Sequence, residues 1–173
     1  MKRGALLAIF ATVGAGSHGA APQAPRLIDQ GSFSITQQGV RVGREDFAIR
    51  LAARGQAVDY IAQGTVQYRD RQLVPVLVTD SLGVPTSYEV TVRIADDITE
   101  VWKGNIVRGR MSARIQTPRG QLAREYVLPD GTLIVDDGVF HHYYFVARHH
   151  TKGSVNVLVP RSNTQSRWAI TSA

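Results

Sequence analysis

Residues 88–94, Tyr88-Glu89-Val90-Thr91-Val92-Arg93-Ile94, alternate without a fault, with the apolar side chains in one phase and the polar ones in the other. Successive strand residues point to opposite faces, so a period of two lays down one dry face and one wet face. The pattern recurs outward from there. Arg110-Met111-Ser112-Ala113-Arg114-Ile115-Gln116 repeats it later in the chain, and Thr65-Val66-Gln67-Tyr68-Arg69 and Ser32-Phe33-Ser34-Ile35-Thr36 repeat it earlier. Turn formers part these runs at Gln37-Gln38-Gly39, Asp70-Arg71, Ser81-Leu82-Gly83, Lys103-Gly104-Asn105, Thr117-Pro118-Arg119-Gly120 and Pro129-Asp130-Gly131. Short alternating runs with such punctuation predict antiparallel hairpins.

Two places break the alternation. Val40 and Val42 lie in one phase, whereas Phe47, Ile49 and Leu51 lie in the other. A strand passing Gly43-Arg44-Glu45 therefore needs one extra residue, a bulge, to keep its apolar side inward. Leu73-Val74-Pro75-Val76-Leu77-Val78 is apolar in both phases, but Pro75 lacks the N–H that an interior strand donates. An edge or bulged strand is the expectation.

The chain opens with Met1-Lys2-Arg3-Gly4 and an uncharged run from Ala5 to Gly14, followed by small residues and Pro22. Basic, apolar and small-residue regions in that order predict a secretory signal peptide over residues 1–20, with cleavage near 17–21. An unstructured tether is expected over residues 21–29, and a single β-rich domain over residues 30–173. The apolar run falls short of the roughly 20 residues that span a bilayer, and no later run is longer, so no transmembrane segment is expected after signal removal. The expected location is periplasmic or secreted. Gly14-Ala15-Gly16-Ser17-His18-Gly19 has dinucleotide-binding glycine spacing, but a leader rather than a strand precedes it, so no nucleotide site is expected.

The 173 residues include no cysteine, which removes disulfides, thiolate metal sites and thiol nucleophiles from consideration. The formal net charge of +6 is mild, and its arginines are scattered without a lysine-rich tract. Nucleic acid is not an expected partner.

Asp136 to His150 reads DDGVFHHYYFVARHH and holds four of the five histidines. At helical period Phe140, Tyr143, Tyr144 and Ala147 form one apolar stripe, flanked by Val139 and Val146. Asp136 or Asp137 can cap the start, and Arg148, His149 and His150 suit the negative end. This reading buries Tyr144 and puts His142 on a polar face. As a metal site the cluster is poor: His142 and His149 would stand roughly 10 Å apart along a helix axis, too far for one ion. Asp137 and His141, at helical i, i+4 spacing, are the remaining candidate ligands. No cofactor motif is present, and no G-x-S-x-G elbow or H-E-x-x-H pair names a reaction.

An aromatic helix in a sheet protein needs a dry face to pack on. The expected fold is mainly β, a strongly curved antiparallel sheet or barrel with one late amphipathic helix on its concave face. The stretches GSFSITQQGVRVGREDFAIRL and YVLPDGTLIVDDGVFHHYYFVARHH resemble exported proteins of the lipoprotein-carrier-like superfamily. That resemblance implies a curved sheet that shelters an acyl chain. The leading expectation is thus an exported soluble binding protein enclosing an apolar, lipid-like ligand. Phe33, Phe47, Tyr88, Val90, Val92, Tyr126, Phe140, Tyr143 and Tyr144 are the candidate cavity or core residues. The alternatives are a structural or interaction module of the cell envelope, with an envelope protein as partner, and a metal-assisted hydrolase built on Asp137 and His141.

Overall fold

The alternating runs form one antiparallel sheet. The computed structural model describes residues 24–149 and 152–171, so the expected signal segment and His150 lie outside the described residues. Eight strands follow one another as a meander: β1 (Arg26–Gln37), β2 (Val40–Arg54), β3 (Ala57–Tyr68), β4 (Arg71–Thr79), β5 (Pro85–Ile94), β6 (Asp97–Val107), β7 (Arg110–Thr117) and β8 (Gly120–Val127). Each pairs only with its sequence neighbours, so among the described residues β1 and β8 are the two edges and the sheet is open. No closed barrel is found among the described residues. The chain after β8 covers a face of the sheet instead of bridging its edges.

After the meander come β9 (Leu133–Ile134), α1 (Tyr143–His149), β10 (Gly153–Val159) and β11 (Thr164–Ile170). The last three strands make a second sheet in the order β11-β10-β9, with β10 and β11 a hairpin and β9 parallel to β10. Ile134 and Leu158 pack into the large core beside Tyr88, Val90, Trp102 and Met111, together with Phe145 of the helix. Leu133, Val155, Val157 and Val159 form a smaller core with Val146. Helix α1 thus contributes adjacent residues to two cores.

Several expectations shift. Strand β1 begins at Arg26, paired with Leu51, so residues 26–29 belong to the sheet and not to a tether. Pro25 ends the proline-rich composition, and Leu27 and Ile28 suit a strand. The bulge falls one residue earlier than the phase break suggested: Ile35 faces Gly43 and Thr36 faces Arg41, leaving Val42 as the extra residue. Gly104 lies inside β6, not in a turn, paired with Tyr88 of β5 and Ala113 of β7, and its missing side chain leaves the space that the Met111 methyl fills. The turn comes at Arg108-Gly109, both at positive φ (50° and 71°), as a tight hairpin of type I′ requires.

Pro75 sits in β4, an interior strand, which corrects the edge reading. The proline is tolerated because the β3–β4 ladder lapses there: Gln63 faces Val76 and Val66 faces Leu73, with no pairing between. Pro75 still faces Val90 on the β5 side.

Candidate functional site

The helix is shorter than its stripe implied, and its phase differs. Residues 136–142 run as a turn-rich loop across the large sheet, and α1 starts only at Tyr143. His141 and His142 are buried, at 1% and 0% exposure, whereas Tyr143 is 47% and Phe140 38% exposed. Ala147 is exposed too, and Tyr144 is half-buried. The residues that face inward are therefore His141, His142, Phe145 and Val146. Both aspartates precede the helix by a full turn, so neither caps it.

The burial of the histidines follows from what they meet. Glu45, in phase with Phe47 and Ile49 beyond the β2 bulge, is a fully buried carboxylate. Its Oε2 accepts the backbone N–H of Phe140 at 2.7 Å, and its Oε1 accepts that of His141 at 3.2 Å. His141 Nδ1 donates to the same Oε1. Three donors on one carboxylate offset its desolvation. The His141 ring stacks on Phe47 at 5.8 Å, and Phe47 stacks on Phe33 at 5.2 Å. Opposite, an added Cβ on Gly64 would lie 3.0 Å from His141 Cε1 and from the Asp46 carbonyl oxygen, so a side chain there would press on the ring.

A second carboxylate holds the start of the loop. Tyr88 donates its hydroxyl to Asp136 Oδ2, and Arg161 Nε donates to the same oxygen at 2.6 Å. Asp136 Oδ1 takes the Asp137 N–H at 2.9 Å, and Arg161 Nη2 donates to the Asp137 carbonyl. The Asp136 N–H donates in turn to His142 Nδ1 at 3.2 Å. An Nδ1 that accepts is unprotonated, so neutral His142 carries its hydrogen on Nε2. Burial, with His141 and Arg161 adding their charge, holds His142 well below the ordinary imidazole pKa. Burial, then the Asp136 charge, pushes Tyr88 well above the ordinary phenol value. For Arg161 burial alone would lower the pKa, and Asp136, Tyr88 and Glu100 together outweigh it, so the net shift is upward.

This clasp forms one wall of a cavity of about 420 Å³. Ile35, Val66, Leu73 and the Tyr68 ring line it from the sheet, and Asp137, Gly138 and Phe140 from the loop. Arg71, Glu100, Arg161 and Ser162 complete its polar part. Of the nine aromatic and apolar residues singled out from sequence, Phe140 alone lines this cavity. Tyr88, Val90, Val92 and Tyr126 are buried in the filled core. Phe33 and Phe47 belong to the aromatic stack beside it, Tyr143 stacks on Trp168 at 5.8 Å, and Tyr144 packs on Phe145.

Asp137 and His141 are not brought together: the first is exposed, and the second is buried with its Nδ1 committed to Glu45. His142 Nε2, carrying the proton, offers no lone pair to a cation. Among the described residues no group of three or more histidines, cysteines, aspartates or glutamates is placed to hold a metal ion. Also among them, no helix is long and apolar enough to cross a membrane.

Sequence reasoning missed Glu45, Gly64 and above all Arg161; only Glu45 left a signal, as a charge in phase with Phe47, Ile49 and Leu51. Comparison with protein-family models, with characterised proteins and with solved structures finds no significant match to this chain.

Proposed function

We propose that this chain is an exported binding protein that holds an apolar, lipid-like ligand between the large sheet, curled around it, and the 136–142 loop. The observation that carries the reading is the cavity of about 420 Å³ with Ile35, Val66, Leu73 and Phe140 on its walls. Its size falls within the roughly 300–1,000 Å³ common for small-molecule sites, and a lining that mixes apolar side chains with a few polar ones matches their usual make-up. The wall formed by the loop is held by the Glu45 and Asp136 hydrogen bonds, which favours a preformed site.

The test is titration with the neutral apolar dye N-phenyl-1-naphthylamine, together with native mass spectrometry of protein purified from its own source. Saturable one-to-one binding is expected, with loss of binding in Ile35→Trp, which fills the cavity from the first strand. Phe140→Ala, at a half-exposed position, keeps the test independent of folding and should weaken binding about tenfold or less. Absence of saturable dye binding and of any co-purified lipid would overturn the reading.

A further inference from the structure

Resting on that reading, we infer that the ligand is a zwitterionic amphiphile, an apolar chain whose head carries a cation and an anion, received by Asp137 and Arg71. Four charged side chains line the cavity, and they are not equivalent. Arg161 is engaged by the Asp136 carboxylate and the Asp137 carbonyl. Glu100 accepts the Trp102 indole N–H and lies in the field of Arg161. Ser162 is likewise occupied, its hydroxyl reaching the Val159 carbonyl at 3.3 Å. Arg71 and Asp137 remain: among the described residues, no hydrogen bond or ion pair engages the Arg71 guanidinium or the Asp137 carboxylate.

The backbone of each is held in place, and its exposed side chain is unengaged. Arg71 opens β4 and is paired through its backbone with Tyr68 on one side and Ile94 on the other. Asp137 is tied by its N–H to Asp136 Oδ1 and by its carbonyl to Arg161, which leaves only its carboxylate uncommitted. The lining of the cavity thus includes one unengaged donor fork and one unengaged carboxylate, of opposite charge. A head of a single charge would satisfy one and face the other with like charge. A head carrying both signs meets each with its complement, and the charge-assisted hydrogen bonds it forms are the stronger kind.

The experiment displaces the neutral dye from the full chain with three dodecyl amphiphiles below their micellar concentrations: dodecanoate, dodecylammonium and the zwitterion N-dodecylglycine, whose ammonium keeps its N–H donors, with dodecanol as the uncharged control. The zwitterion should bind about tenfold tighter than either singly charged chain. Arg71→Gln should weaken dodecanoate and the zwitterion about tenfold while sparing dodecylammonium, and Asp137→Asn should do the mirror image. Both side chains are exposed and outside the clasp, so the variants should fold. Equal affinity for all heads, or substitutions that affect every head alike, would overturn the head-group assignment and leave the apolar cavity standing. Failure of all four, dodecanol included, would overturn both.

Discussion

Removing the Glu45 carboxylate should be among the most damaging single changes in the domain. In Glu45→Ala the N–H groups of Phe140 and His141 lose their acceptor inside the protein, and His141 Nδ1 loses its partner. A buried donor left unsatisfied costs about 1–3 kcal/mol, and breaking a buried charged pair from one side costs about 3–5 kcal/mol. These penalties describe overlapping groups and do not add, so the expected loss is about 3–5 kcal/mol against a total of about 5–15 for an ordinary domain. Glu45→Gln keeps the shape and one acceptor oxygen, and should lose about 1–3 kcal/mol. Urea titration followed by the fluorescence of Trp102, which is buried in the same core, measures both. A double-mutant cycle with His141→Ala should return a coupling of about 1.5 kcal/mol or more. A loss below about 1 kcal/mol in Glu45→Ala, or an additive cycle, would refute the clasp.

Two further outcomes follow from the same geometry. His142 is held neutral in the fold, so the unfolded chain takes up its proton more readily; its contribution is intact above about pH 6.5 and is lost as pH falls from there through the depressed folded value. Urea titrations between about pH 7.5 and 5 should show that decline, and an unchanged slope in His142→Asn would contradict the assignment. Phe145→Ala should cost about 3–5 kcal/mol, as truncation of a buried aromatic does, whereas Tyr143→Ala, half in solvent against Trp168, should cost below about 1 kcal/mol by thermal denaturation.

The meander was legible because one signal repeats in every strand: apolar residues in one phase, with turn formers between. The phase break between Val42 and Phe47 located the bulge to within a residue, since an antiparallel pair can absorb one extra residue in few ways. Glycine and proline misled where tertiary contacts overrode their usual meaning. Gly104 makes room for Met111 and Pro75 sits opposite a lapse in the ladder, and in each case the partner lies on the adjoining strand of the hairpin, where its effect shows only once the register is known. The helix failed for a related reason. Phe140, Tyr143 and Tyr144 outweigh histidine in hydropathy, yet His141 and His142 point inward because Glu45 meets the first from strand β2 and the Asp136 N–H of the same loop meets the second. A pairing between residues 96 apart leaves no local trace.

That pairing explains how a nearly structureless segment can serve as a wall. Apolar packing is non-directional, and Ile134, Val139 and Leu158 alone would let the second layer settle on the large sheet in several registers. A carboxylate with three donors has far fewer acceptable positions. Glu45 fixes the end of the 136–142 loop to β2, and Asp136, held by Tyr88 of β5 and by Arg161 beyond β10, fixes its start. The two anchors rise from strands separated by β3 and β4, and the cavity wall of Asp137, Gly138 and Phe140 hangs between them. The buried charges therefore act on the cavity through geometry: they set where Phe140 and the Asp137 carboxylate stand in its wall, and of them Arg161 itself lines it.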